Sequence, residues 1–202
     1  MEESELYPSV KEFIRNKYGC FAARIEAGKE GIGSVDIFGV YHKNIERTEI
    51  ETVGVEVKIS KIPIASSFGQ AKGYSLFCHK MYFASLNEFD DENIEMAKHL
   101  GIGLISITKE NAVFVCHEAL EPSTSMPIKR LLDLVLERRK ILACQSCKVI
   151  QERNYTKTIY GLDKIPPWNR NEVKKGKDLL IKNKDRTEFY CNKCARKILN
   201  LV

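Results

Sequence analysis

Glu56 and Lys58 stand two residues apart in Val53-Gly54-Val55-Glu56-Val57-Lys58-Ile59, a segment whose β-branched alternation predicts a strand. Side chains two apart on a strand share a face, so a carboxylate and an ammonium sit side by side at one end of an apolar element. Twenty residues earlier, Val35-Asp36-Ile37-Phe38-Gly39-Val40 puts Asp36 where a buried apolar residue is expected. Unpaired buried charge is costly, and a cation flanked by carboxylates resolves the cost on both strands. Hard carboxylate oxygens suit Mg²⁺ or Mn²⁺. Such an ion polarises a phosphodiester, acidifies water and stabilises a leaving oxygen, while Lys58 orients water or offsets charge in the transition state. The plainer reading is an exposed Glu56–Lys58 ion pair of little energetic weight, with Asp36 opening a turn.

These residues, in this order, resemble the PD-(D/E)xK nuclease superfamily. Gly33-Ser34-Val35-Asp36-Ile37 matches its Asp motif, although Val35 replaces the frequent Pro. Glu56-Val57-Lys58 matches its E-x-K motif, and Phe68-Gly69-Gln70-Ala71-Lys72-Gly73-Tyr74 is similar to its helical Gln-Ala-x-x-Tyr. The amino-terminal Glu5-Leu6-Tyr7-Pro8-Ser9-Val10-Lys11-Glu12-Phe13 resembles its first helix, where Glu5, with Glu12 second, takes the position of a Glu near the metal. The resemblance covers residues 1–120 and implies a restriction endonuclease-like α/β fold, a mixed sheet flanked by helices. It also implies Mg²⁺-dependent hydrolysis of DNA. Asp36, Glu56 and the Val57 carbonyl would bind the metal, and Lys58 would position or activate water. Gln70 would orient Lys58 or a phosphate, and Glu5 would assist through a water on the metal. Two alternatives stand beside an endonuclease: a catalytically silent DNA-binding or scaffolding protein on the same fold, and a branched-DNA resolvase acting as a symmetric homodimer.

The elements that must position these groups follow from periodicity. A helical pattern covers Leu6 to Lys17 and ends at Tyr18-Gly19; Cys20–Ala27 reads as a strand and Gly28–Gly33 as a loop. That loop lacks the Gly-Lys-Ser/Thr ending of a P-loop. A β-meander joins the Asp36 and Glu56 strands through polar residues 42–49. A helix from Ala65 to His79, a strand at 80–86, a helix from Asp90 to Leu100 and strands at 103–107 and 112–116 complete the order αβββαβαββ, which predicts a mixed sheet covered by helices. Residues 121–127, rich in Pro, Ser and Thr, read as a linker. An amphipathic helix is expected over Ile128 to Leu142, with Leu131, Leu132, Val135, Leu136 and Ile141 on its apolar face.

Cys144-Gln145-Ser146-Cys147 and Cys191-Asn192-Lys193-Cys194 form two C-x-x-C pairs with 43 residues between them. Together they offer the four thiolates of a closed structural Zn²⁺ site. A redox motif needs only one pair on a βαβ unit, and an iron–sulfur cluster is the other rival. Cys20, Cys78 and Cys116 lie on apolar segments and are expected to be buried thiols. The four histidines show no ligand spacing.

The chain has 202 residues, room for a core of real size. It lacks an apolar run of the ~18–20 residues needed to span a membrane and a signal-peptide pattern at the amino terminus. A cytoplasmic protein is therefore expected, and seven cysteines there read as thiols or ligands rather than disulfides. Of 32 basic and 27 acidic residues, the last sixty hold 14 and 6, leaving 18 and 21 for residues 1–142. Residues 143–202 thus read as a basic zinc module following the linker and helix at 121–142. Its mix of aromatic and basic residues (Tyr155–Tyr160, Pro166–Arg170, Lys174–Lys177) suits a DNA surface; a solvated basic face with Trp168 in a small core is the alternative.

Overall fold

The computed structural model describes residues 2–29, 33–59, 64–86, 88–120, 128, 132–133, 135–136, 140–154, 159–160, 167–182 and 187–201. The expected linker at 121–127, residues 30–32 of the glycine-rich loop and the aromatic–basic residues 155–158 lie outside them. The chain divides into two compact units, residues 1–43 with 50–135 and residues 44–49 with 136–202.

The first unit is α/β. Helix α1 (Glu3–Tyr18) precedes three strands, β1 (Ala22–Lys29), β2 (Gly33–His42) and β3 (Ile50–Lys58). Then come α2 (Ile64–Tyr74), β4 (Lys80–Ser85), α3 (Asp91–Leu100), β5 (Gly103–Ile107) and β6 (Val113–His117). The strands form one mixed six-stranded sheet in sequence order. β3, β4 and β5 are parallel, whereas β1–β2, β2–β3 and β5–β6 pair antiparallel. Parallel neighbours need crossovers, and α2 and α3 provide them.

Helix α1 starts a turn earlier than its apolar periodicity suggests. Glu5 Oε2 accepts the Glu2 amide at 3.0 Å, half of a capping box, and Glu3 and Glu5 complement the helix dipole. The helix ends at Gly19, whose φ of 62° puts it in the left-handed region and lets its amide reach the Arg15 carbonyl. Leu6, Tyr7, Val10 and Ile14 are buried on one stripe and pack on Ile37, Val53, Val55, Val57, Tyr82, Ala84, Ile105 and Ile107. From α2, Phe68, Ala71 and Tyr74 are buried, and the Phe68 ring meets Phe83 of β4 edge-on at 5.2 Å.

The second unit holds a hairpin of β7 (Ile141–Ala143) and β8 (Ile150–Glu152). A separate sheet contains β9 (Ile159–Tyr160), β10 (Leu179–Lys182) and β11 (Thr187–Tyr190), in the order β11-β10-β9. Its described residues also include two short helices, α4 (Pro167–Lys174) and α5 (Asn192–Ile198). Val173, Leu179, Ile181, Ala195 and Leu199 form its small core.

Three expectations are corrected. The helix expected through Leu142 stops sooner: residues 132–133 and 135–136 are helical, but Lys140 has a left-handed φ of 57° and Ile141 begins β7. The connection at 44–49 is more than a turn between β2 and β3, because it belongs to the second unit, where the Ile150 amide bonds the Arg47 carbonyl at 2.9 Å. Cys116 is exposed rather than buried, because alternate residues of the edge strand β6 face outward; its thiol donates to Ser106 Oγ at 2.9 Å. Among the described residues no helix is long and apolar enough to cross a membrane.

Gly103 opens β5 where there is no room for a side chain. An added Cβ would run into the Tyr82 ring and lie 2.6 Å from the Ala119 amide nitrogen. Gly103→Ala is expected to destabilise the protein by about 3 kcal/mol, seen as a lower urea midpoint. An unchanged midpoint would show that the Tyr82 ring yields freely.

Candidate active site and metal centre

The antiparallel ladder between β2 and β3 runs from His42 opposite Ile50 to Ile37 opposite Val55 and stops one pair short of Asp36 and Glu56. There a side chain takes over from the backbone. Asp36 Oδ2 accepts the Val57 amide at 2.7 Å, and Asp36 Oδ1 accepts the Tyr7 hydroxyl of α1 at 3.0 Å. In an antiparallel strand the amide and carbonyl of one residue point to the same neighbour, so the Val57 carbonyl is directed toward β2 as well.

Glu56 lies on β3, which has a hydrogen-bonded neighbour on each side, and its side chain is only 1 % exposed. Oε1 is 2.8 Å from Lys58 Nζ; Oε2 is buried and has no hydrogen-bond partner among the described residues. Lys58 Nζ also lies 3.4 Å from Glu3 Oε2 in the first turn of α1. Asp36, Glu56, Lys58 and Glu3 thus form one electrostatic group. Burial pushes the Glu56 carboxyl up to about 7; the Lys58 hydrogen bond opposes this, and the Asp36 charge adds to it. Burial also raises Asp36, against the bonds from Val57 and Tyr7. For Lys58, burial works against the charge, but the Glu56 carboxylate outweighs it and holds the ammonium above its ordinary value.

Asp36, Glu56, Val57 and Lys58 are therefore together, and two other expected residues are elsewhere. Glu5 is exposed, its carboxylate caps its own helix, and Glu3 stands next to Lys58 in its place. Glu12, the second choice, is exposed beside Arg15. Gln70 is exposed on α2 and donates its side-chain amide to the Tyr74 hydroxyl, one turn along the same helix, at 2.9 Å. Tyr7 and Glu3 were missed, although their i, i+4 spacing puts them on one helix face once the capping box of Glu2 and Glu5 sets where α1 begins.

The donor set fits a hard divalent cation. It has the unpartnered Glu56 oxygen, an Asp36 carboxylate whose oxygens each accept a single described bond and so keep a lone pair, and a carbonyl directed the same way.

The second cluster is built from a hairpin and a helix start. β7 and β8 close the knuckle carrying Cys144 and Cys147, with the Lys148 amide on the Cys144 carbonyl at 2.9 Å and Lys148 itself left-handed at φ 62°. β11 leads into Cys191, which caps α5, and Cys194 sits in that helix's first turn. The four sulfurs lie within 4.8 Å of one another. Tetrahedral thiolates about 2.3 Å from one ion stand about 3.8 Å apart, and Cys147 Sγ and Cys191 Sγ are 3.8 Å apart. The C-terminal cluster can hold zinc. Burial alone would raise the Cys144 thiol, but the amides of Cys147, Cys191 and Ser146 outweigh it and bring it down to about 6. A cavity of about 720 Å³ opens beside Cys147, Cys191 and Cys194.

Sequence reasoning also missed Arg153, a guanidinium only 2 % exposed. It donates to the carbonyls of Leu142 (3.2 Å) and Val149 (2.6 Å) and stacks 4.7 Å over the Phe189 ring. Its Nη1 is buried without a partner among the described residues. Burial depresses its pKa, while the charges of Asp178 and the thiols of Cys191, Cys144 and Cys147 support the cation. Four thiolates around Zn²⁺ would carry a net charge of −2, part of which Arg153 would offset. No pattern of spacing marks this residue, because its role comes from the fold.

No family model matches the chain, and no curated protein does. Among solved structures it is similar to SPO1766, a protein of unknown function from Silicibacter pomeroyi. That similarity has 17 % identity and a TM-score of 0.47 over 68 % of this chain and 83 % of the other. The likeness says nothing about activity.

Two outcomes are expected. Folding raises the Glu56 pKa from 4.5 to about 7, so the stabilising proton is fully present below pH 4.5 and lost as pH rises through about 7. With EDTA present, the melting temperature of Glu56→Gln should therefore exceed that of the parent by a margin that opens across this window; a constant margin would contradict the burial argument. Arg153→Met, which keeps bulk and removes charge, should lower zinc affinity about tenfold or more in chelator competition, and equal affinities would show that Arg153 only packs.

Proposed function

We propose that the chain is a divalent-metal-dependent endonuclease acting on DNA, with a structural zinc in its carboxy-terminal unit and DNA held by that basic unit. The observation that carries this reading is the buried Glu56 carboxylate with one oxygen unpartnered, beside Asp36 and the Lys58 ammonium. A structural ion pair has no need of an open carboxylate oxygen in a dry place, whereas a cation site does. A Mg²⁺ or Mn²⁺ held by Asp36, Glu56 and the Val57 carbonyl would supply Lewis acidity toward a phosphodiester and acidify water.

The chain's own groups do the rest. Tyr7 and the Val57 amide fix the Asp36 carboxylate. Lys58, kept charged by Glu56 and Glu3, hydrogen-bonds the attacking water or a phosphate oxygen and meets the negative charge that grows at phosphorus. Burial of Glu56 excludes competing water from the carboxylate. The basic excess of the last sixty residues contributes affinity for phosphate backbones without regard to sequence.

A second reading, a catalytically silent DNA-binding protein, has its own observation: both Asp36 oxygens already accept protein donors, as they would in a purely structural role.

Supercoiled plasmid with Mg²⁺ or Mn²⁺ separates the two. Nicking or linearisation is expected from the parent, with loss in EDTA and in Glu56→Ala, and a loss of about a hundredfold or more in Lys58→Ala. Cleavage retained by both variants would overturn the site assignment. DNA binding without cleavage on any tested substrate would favour the silent reading.

A further inference from the structure

Helix α4 carries an aromatic and basic face that the nuclease chemistry does not use. Its limits come from residue type. Pro167 opens it, where a missing amide costs nothing. Gly176, with φ 97°, closes it in a Schellman turn: the Gly176 amide bonds the Val173 carbonyl at 3.0 Å and the Lys177 amide bonds the Glu172 carbonyl at 3.1 Å. Asn169 and Val173 are fully buried on the inner side. Trp168, Asn171, Glu172 and Lys175 follow the i, i+3, i+4, i+7 spacing of a single helix face, and the glycine turn brings Lys177 back beside them.

These five residues line a cavity of about 620 Å³, within the range of about 300–1,000 Å³ usual for small-ligand sites. Trp168, the single tryptophan of the chain, is 45 % exposed there. That excludes the expectation that it fills a small core, and an exposed indole beside a cavity has a face to offer a ligand. Glu172 stands 3.5 Å from Lys175 Nζ and 2.5 Å from Lys177 Nζ, which gathers both ammoniums at one side of the cavity and leaves them a net charge of +1. Arg170 and Lys174 on the same helix bring the stretch from Pro167 to Lys177 to +3.

We propose that this cavity binds one unpaired nucleotide of a nucleic-acid strand. The base stacks on the Trp168 indole, the Asn171 amide meets a base edge, and Lys175 and Lys177 meet the adjoining phosphate. The complementarity favours this occupant over an apolar peptide, since an aromatic plane beside clustered ammoniums matches a π-face joined to a phosphate. A duplex keeps its bases stacked on one another and cannot present one to the indole without unpairing. The inference rests on the reading of the second unit as the nucleic-acid-holding part, and it narrows the preferred substrate to strands with unpaired nucleotides.

Because Trp168 is the only tryptophan, its fluorescence reports this cavity alone. The full-length zinc-loaded protein would be titrated with short thymidine DNA, short uridine RNA and a blunt DNA duplex, with occupancy followed by anisotropy of a labelled strand. Quenching of Trp168 by a single strand and not by the duplex at equal occupancy is expected; which single strand binds more tightly identifies the source. Trp168→Ala should weaken single-strand binding about 5- to 150-fold, and Trp168→Phe, which keeps a stacking plane, should restore most of it. Lys175→Ala with Lys177→Ala should flatten the dependence of log Kd on log salt by about 1.4. Circular dichroism and zinc content confirm that each variant is folded.

An unquenched tryptophan with a strand bound, equal affinity in Trp168→Ala, or no binding of any strand would overturn the proposal. Cleavage of plasmid without quenching would refute this inference and leave the nuclease reading standing. Quenching by a single strand in a protein that never cleaves would do the reverse.

Discussion

A carboxylate buried in a strand that has hydrogen-bonded neighbours on both sides constrains everything around it. β3 cannot turn Glu56 out to solvent without breaking its pairing with β2 and β4, and Val53, Val55 and Val57 are committed to the core that α1 covers. The charge must therefore be neutralised where it stands, by a proton, by Lys58 or by a cation. The neighbours are arranged around that demand. β2 gives up its backbone ladder so that Asp36 can take the Val57 amide, and α1 extends one turn past its apolar stripe so that Glu3 can reach Lys58. With every acid ionised, three carboxylates face one ammonium, and the difference is the charge of one divalent ion.

The second unit solves a different problem. Among its described residues the apolar cluster of Val173, Leu179, Ile181, Ala195 and Leu199 is a modest core for a unit of this size. Four sulfurs drawn within 4.8 Å give a metal the means to tie the hairpin of β7 and β8 to the start of α5, and binding energy at such a site is folding energy. A buried arginine stacked on Phe189 is costly beside a neutral cluster and favourable beside an anionic one. Arg153 and the thiolates are thus two halves of one electrostatic arrangement.

Much of this was legible in the sequence. The order αβββαβαββ, the mixed sheet and the four-cysteine cluster follow from periodicity, turn residues and the two C-x-x-C pairs, because each is a local signal. Asp36, Glu56 and Lys58 were legible for the same reason, as charges that interrupt apolar strands. The resemblance points to Glu5, but apolar periodicity says little about where a helix starts; the Glu2–Glu5 cap decides that here and leaves Glu3 beside Lys58. Gln70 is on the expected helix, but its amide bonds Tyr74, and a helix surface offers such partners at i+4 that a motif does not display. Arg153 and Asp178 were invisible because their neighbours are distant in sequence: Asp178 accepts the amides of Asn154 and Asn192, which only the folded chain brings together.

The six residues 44–49 have a consequence for the chain as a whole. They leave the first unit at Lys43, join the second, and return at Ile50, so no single cut in the backbone separates the two units. The Arg47 carbonyl waits for the amide of Ile150, a hundred residues further along, so the loop between β2 and β3 is made long before its partner leaves the ribosome. The second unit is therefore completed from a segment made with the first, and it closes only when residues 136–202 have followed. Duplication or exchange of either would have to carry a segment of the other with it.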